Sequence, residues 1–385
     1  MVRAIVKFSA KYVSMLLCIS LVLFFILCPV HDSVVIAAEE ETYKDYIGEH
    51  SQASIGKTPV TLKAVQYDKE IDTSVSDGFL LSGSNSTVTY RFNLPEAGLY
   101  HIALNYKPVA GGSEIIRKIR INGEYPFEEA EYITLKRYYR DKDQEYKKQK
   151  GNQTFPTQIE VEDWVQTLLF ASNGYITDPL AFFFEKGENT LTIEALEGDI
   201  WLDTISLIPA EPLPSYETYI ENCRANGYME YTGEPIKIQG EDAALKTSPS
   251  LYPINDRTSP LTEPYHPSYI VLNAIGGNAW RIPGQTIIWE VDVPEAGLYK
   301  LAFKYKQSYT RGTFSTRKLA INGSVPFAEA NDLRFSYKTK FSLSYLADRT
   351  TGEEYYFYLK EGKNTISMEV SLGVFGELAS RVEDS

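Results

Sequence analysis

Two loops of this chain concentrate residues able to hold a ligand. Leu251–Tyr269 contains Tyr252, Asn255, Asp256, Arg257, Tyr265, His266 and Tyr269, and Gly276–Gly284 contains Asn278, Trp280 and Arg281. Aromatic rings present flat apolar faces for stacking, while the amide, carboxylate and guanidinium groups between them can hydrogen-bond a polar ligand. Trp280 follows a Gly-Gly pair and precedes Pro283 and Gly284, so it belongs to a loop. Its competing reading is partial burial between loop and core, and Tyr252, Tyr265 and Tyr269 can equally be loop packing. Trp164 and Trp201 read as core or lid residues. Carboxylates gather as Glu241 and Asp242 in GEDA and as Asp199 and Asp203 in GDIWLD. The four His are scattered, at 31, 50, 101 and 266, and no GxSxG elbow, HExxH, P-loop or Cys/His pair occurs.

The elements that must position these loops are written twice. Leu94–Tyr100 reads LPEAGLY and Val293–Tyr299 reads VPEAGLY, each followed by an alternating strand, HIALNYK or KLAFKYK. RKIRINGEYPFEEA recurs as RKLAINGSVPFAEA, and KGENTLTIE recurs as EGKNTISME. Three matched blocks in one order mean one domain, duplicated. Pro95 cannot donate to a ladder and ends a strand. Gly98 is read as a permissive turn residue, and Asn122-Gly123, repeated at Asn322-Gly323, favours a tight hairpin. Val88, Tyr90, Phe92 and Leu94 alternate as Ile287, Trp289, Val291 and Val293 do, so Trp289 fills the core slot of Tyr90. Many short strands with regular turns read as all-β, two tandem jelly-roll-like β-sandwich domains.

The copies differ between their second and third blocks, where the first is longer by about 25 residues. The surplus falls in the polar stretch 137–156, and VEDWVQTLLFAS (Val161–Ser172) is expected to form a short helix on the sandwich. The basic run Lys136, Arg137, Arg140, Lys142, Lys147, Lys148 and Lys150 is interleaved with Asp141, Asp143 and Glu145 and reads as a solvated face. The pairs Arg117-Lys118 and Arg317-Lys318 are expected at solvent-facing strand positions.

A chain of 385 residues with 43% hydrophobic content can bury real cores, and its 28 Tyr suit strands and stacking surfaces. A net charge of −13 argues against nucleic acid as a partner. Arg3, Lys7 and Lys11 precede an apolar run from Val13 to Val30, then Ala37 and Ala38 meet an acidic EEE. This is a signal peptide over 1–38, implying a secreted or cell-surface protein, with an uncleaved membrane anchor as the rival. Cys18 and Cys28 lie in that run, which leaves Cys223 alone and no intrachain disulfide. The expected order continues with a lead-in (39–59), sandwich one (60–209), a linker (210–235), sandwich two (236–373) and the start of a truncated amphipathic helix (374–385).

The pattern of IQGEDA, a loop Trp, VPEAGLY with its strand, ING..PF and EGKNTI resembles carbohydrate-binding modules of the family 6 and family 35 type. The resemblance covers residues 60–208 and 236–373. It implies jelly-roll sandwiches that bind oligosaccharide or polysaccharide and often carry a structural calcium. Under it Trp280, Tyr252, Tyr265, Tyr269, Asp256 and Arg281 become the sugar contacts, and Glu241, Asp199 and Asp203 the candidate calcium ligands. Neither copy presents a full set of the six or more oxygens calcium takes. GEDAALKTSPSLYPINDRTSPLTEP and LGVFGELASRVEDS also look like the N-terminal region of large solute-binding proteins of Gram-positive carbohydrate ABC transporters. That implies a transporter permease as partner, reached through a C-terminal domain missing here. Acidic residues could supply a hydrolytic carboxylate pair, but two sandwiches leave no room for a separate catalytic domain, so the reading is a non-enzyme. A structural or protein-interaction sandwich that touches no sugar is the alternative.

Overall fold

The computed structural model describes residues 41–143 and 145–383; the signal-peptide segment lies outside them. The fold is all-β, as expected, with three short α-helices and three single 3-10 turns among the described residues. None is long and apolar enough to cross a membrane.

In the first copy, strand Phe79–Leu94 bends so that its two halves serve different layers. Leu80–Ser82 pair with Ile200–Leu202, whereas Thr87–Leu94 pair with Gly187–Glu194. One layer centres on Gly98–Pro108, flanked by Ile200–Pro209 on one side and by Ala181–Phe184 and Val165–Leu168 on the other. Val60–Lys63 pairs with the far edge of Ile200–Pro209. The second layer runs from Lys69–Ser76 through Phe79–Leu94, Gly187–Glu197 and Ile115–Ile121 to Ile133–Leu135. Tyr90, Leu191 and Ile193 face Tyr100, Ile102, Leu104, Ile205 and Phe182 across one apolar core.

The repeated blocks are joined to one another. Asn122 takes the left-handed φ of 53° that its turn requires, and its side-chain oxygen accepts the Thr190 amide at 2.8 Å. Asn322 does the same for Thr365 at 2.9 Å. Buried Asn189 and Asn364 of the third block receive the amide groups of these turns. Trp289 is buried, as expected, and its indole donates to the Gly240 carbonyl at 2.8 Å, the place where Tyr90 donates to Ala64 at 3.0 Å.

Four expectations change. Gly98 is no turn residue: a Cβ there would sit 2.7 Å from the Gly56 backbone, and one on Gly297 would sit 2.9 Å from the Met229 carbonyl. Each glycine makes room for the segment preceding its sandwich. Val161–Ser172 is not helical, because Val165–Leu168 takes the open edge of Gly98–Pro108. Arg117 does not face solvent; it is fully buried and donates to the carbonyls of Ile116, Ser82, Glu197 and Gly198. Lys318 is buried too, and from the basic run Arg137 is buried against Glu160.

The segments read as lead-in and linker each hold a helix. Tyr43–Glu49 is capped by Thr42, and Tyr216–Ala225 by Ser215. Glu129 accepts the Tyr43 amide at 2.8 Å and Glu329 accepts the Tyr216 amide at 2.9 Å, so each helix is tied to the repeat that follows it.

The insertion of the first copy crosses to the second. Its strands Tyr138–Asp141 and Gln158–Val161 pair with each other, and Tyr139 lies beside Lys246. Leu245–Lys246 pairs with Thr286–Val293, so one seven-stranded sheet contains both copies. Two ion pairs span the same junction, one on the fully buried Lys246 and one partly buried at Glu369. Lys246 meets Asp141, and Glu369 sits between Lys136 of the first copy and Lys318 of the second.

Candidate ligand cleft between the two copies

Beyond its two crossing strands the insertion forms a small hairpin, Lys148–Gln149 against Asn152–Gln153. Lys150 and Gly151 make its turn with φ of 50° and 87°. The hairpin docks on the second copy's long loop through main-chain groups. The Gln153 amide donates to the Ile270 carbonyl at 2.9 Å, and the side-chain oxygens of Asn152 and Gln153 accept the Ile270 and Leu272 amides at 2.8 and 2.6 Å. Among the described residues, neither side-chain NH2 group has a hydrogen-bond partner.

Aromatic rings close on the hairpin from the loop side. Tyr269 lies over Gly151, where a Cβ would come within 2.5 Å of the ring. His266 holds that stretch by accepting the Ser268 and Tyr269 amides at 3.0 and 2.9 Å on Nδ1. Phe155 pairs with Tyr252 at a centroid distance of 5.1 Å and remains 61% exposed. An open depression of about 500 Å³ lies between, lined by Gln149, Lys150, Asn152, Gln153, Thr154, Phe155 and Ile270. It offers an apolar ring face beside several amide donors and one ammonium.

None of the six residues expected to contact ligand lines the depression itself; Tyr252 pairs with the lining ring Phe155, and Tyr269 lies against Gly151 in the hairpin turn. Tyr265 and Arg281 are exposed elsewhere on the loops. Asp256 is committed: it pairs with Lys306 and caps Thr258, whose amide it accepts at 2.8 Å. Trp280 is committed as well. Its indole donates to the Gln285 carbonyl at 3.1 Å, and the Arg317 guanidinium covers one face at 4.2 Å. Phe155 escaped the sequence reading, although its setting, an aromatic within a polar insertion, was the available signal.

The three candidate calcium ligands do not converge. Asp199 accepts the Ser84 amide at 3.0 Å, and Asp203 is held by the Lys63 ammonium at 3.1 Å and the Asn105 amide at 3.0 Å. Glu241 lies in the other copy, and no three metal-ligating side chains cluster among the described residues. Asp203 already faces an ammonium, and the other two candidates lie apart from it without a third ligand beside them, so these residues do not fit a calcium ion. Glu241 is instead a buried acid. Burial pushes its carboxyl up to about 7, its own backbone amide opposes this, and neighbouring Asp242 adds to the rise.

Neither a protein-family model nor a curated protein sequence matches the chain. Solved structures with similarity include a family 35 carbohydrate-binding module from Clostridium thermocellum, 12% identical with a TM-score of 0.24 over 40% of this chain and 100% of that one. A carbohydrate-binding module of Cellvibrio mixtus lichenase 5A, in complex with cellotriose, is 12% identical with a TM-score of 0.23 over 40% of this chain and 98% of that one. The Podospora anserina GH26-CBM35 β-(1,4)-mannanase is 15% identical with a TM-score of 0.25; the match covers 40% of this chain and 28% of the mannanase.

Proposed function

We propose that this chain is a non-catalytic carbohydrate-binding unit that holds an oligosaccharide or polysaccharide in the cleft between its two copies. One observation carries the reading: the exposed Phe155 ring, paired with Tyr252, borders a depression rich in amide donors. A pyranose presents an apolar face to a ring and hydroxyls to amides, and the open shape of the cleft admits an extended chain. Phe155 and Tyr252 would stack, Asn152 and Gln153 would donate, and Tyr269 would set the rim. The signal-like N-terminus supports a secreted or cell-surface location, and the sequence resemblance supports a role as accessory to a carbohydrate transporter's solute-binding protein. The test is a glycan array and pull-down on insoluble polysaccharides with the full chain and with Phe155→Ala. Binding that drops at least about tenfold in the variant supports the cleft. No binding to any glycan by the unaltered chain would leave the interaction-module alternative.

A further inference from the structure

His266 holds the rim of the cleft through an acceptor that a single proton would remove. Its Nδ1 takes the amides of Ser268 and Tyr269 at 3.0 and 2.9 Å, so that nitrogen is unprotonated. Its ring also packs on the Tyr269 ring, with centroids 4.6 Å apart. The other two described histidines are wired the opposite way. Nδ1 of His50 faces the Tyr46 carbonyl at 2.9 Å, and Nδ1 of His101 faces the Leu180 carbonyl at 3.0 Å. A carbonyl only accepts, so these two rings carry a proton on Nδ1 and can gain another at Nε2 with the bond intact. Among the described residues, His266 alone must give up main-chain hydrogen bonds to become an imidazolium.

The stretch it holds is the one that docks the hairpin. Tyr269 lies against Gly151 in the hairpin turn. Ile270, the next residue, lines the depression and bonds both Asn152 and Gln153 through its own main chain. Neighbouring charges do not favour a cation here. The Arg257 guanidinium donates to the Pro267 carbonyl at 2.9 Å, and Lys150 stands beside Gly151 in the turn. Glu263, the nearest acid along the loop, is paired with Lys237. The titratable groups flanking His266 on its own loop are the Tyr265 and Tyr269 phenols.

We propose that protonation of His266 at Nδ1 unlatches residues 268–270 from the hairpin and releases ligand from the cleft in acid, an inference that rests on the cleft being the carbohydrate site. The latched form exists only with Nδ1 unprotonated, whereas the unlatched form tolerates either state. Acid therefore favours the unlatched form and alkali the latched one. The change falls where imidazole side chains titrate, across about pH 5 to 8. His266 is thus a positioning residue: it sets Tyr269 and Ile270 in place and touches no sugar itself.

Hydrogen exchange of the full chain at about pH 7.5 and about pH 5, corrected for intrinsic rates, reads the latch without any glycan. Protection over residues 268–272 and 149–154 should fall about tenfold in acid, while the core strand Thr286–Val293 keeps its own. His266→Asn retains a side-chain acceptor that does not titrate, so that variant should stay protected at both pH values. His266→Phe keeps the ring packing without an acceptor and should be loose at both. The glycan array, repeated at the two pH values, should lose about tenfold in affinity in acid with the parent chain and little with His266→Asn. Equal corrected protection at both pH values would overturn the latch, as would an acid-induced loss that persists in His266→Asn. Acid-sensitive exchange with no glycan bound at either pH would support the latch while removing the sugar reading of the cleft.

Discussion

The phenolic oxygen of Tyr46 accepts the backbone amide of Phe183 at 2.7 Å. The second copy repeats this, Tyr219 accepting the Tyr358 amide at 2.8 Å. One helical turn earlier Tyr43 and Tyr216 serve the Ala181 and Tyr356 amides, each at 3.0 Å. Two tyrosines on each helix thus terminate an edge strand whose outward amides would otherwise be open. Tyr46→Phe keeps the ring and strands the Phe183 amide against an apolar neighbour. The expected cost is about 1–3 kcal/mol, read as a lower urea midpoint. An unchanged midpoint would mean water replaces the hydroxyl.

Glu369 makes a second prediction, at the junction of the copies. Burial alone would raise its carboxyl, yet the Lys136 and Lys318 ammonium groups outweigh that and hold it at about 2. A carboxylate depressed in the folded state stabilises fully above its unfolded value and loses that contribution as pH falls towards about 2. Glu369→Gln leaves two cations facing each other without a counter-charge, at a cost of about 3–5 kcal/mol at neutral pH. The gap between variant and parent should narrow steadily below pH about 4. A gap that stays constant down to pH about 2 would show that packing, not charge, is what the variant lost.

How much of this was legible in the sequence follows from what was written twice. The three repeated blocks fixed the strands and turns because Asn122, Asn189 and their counterparts bond to one another, and each copy confirms the other. The helices Tyr43–Glu49 and Tyr216–Ala225 repeat as well, as TYKDYI and SYETYI, but the shared signal is short and lies in polar segments. Arg117 was misplaced because alternation alone puts a charged residue outside, whereas four carbonyls satisfy it inside. The cleft was half legible. The insertion and the aromatic loop were both recognisable, but their meeting rests on a long-range pairing, Tyr139 beside Lys246, that no local pattern encodes.

The hairpin turn offers a test of the cleft that spares its chemistry. Gly151 has a φ of 87°, and a Cβ there would press on the Tyr269 ring at 2.5 Å. Gly151→Ala therefore strains the turn by about 1 kcal/mol or more and tilts the hairpin away from the loop. Glycan affinity should fall while the global urea midpoint barely changes, since the hairpin carries little of the core. Retained affinity with a displaced Tyr269 would remove that ring from the site.

Glu241 should behave in the opposite sense to Glu369. Glu241 is buried, with 3% of the residue exposed, and burial raises its carboxyl from 4.5 to about 7. The nearby charged and titratable groups are Asp242, Lys237 and Tyr146, whose hydroxyl donates to the Glu241 carbonyl at 3.3 Å. The folded state holds this proton more tightly than the unfolded chain does, so stability is greatest below pH 4.5 and declines as pH rises to about 7. Glu241→Gln removes the penalty of ionising in place. The variant should match the parent near pH 4 and be more stable at pH 8, by roughly 2–3 kcal/mol at most. Thermal melts at the two pH values decide the matter: a variant that is destabilised at pH 8 would mean that the ionised carboxylate is held by a favourable partner.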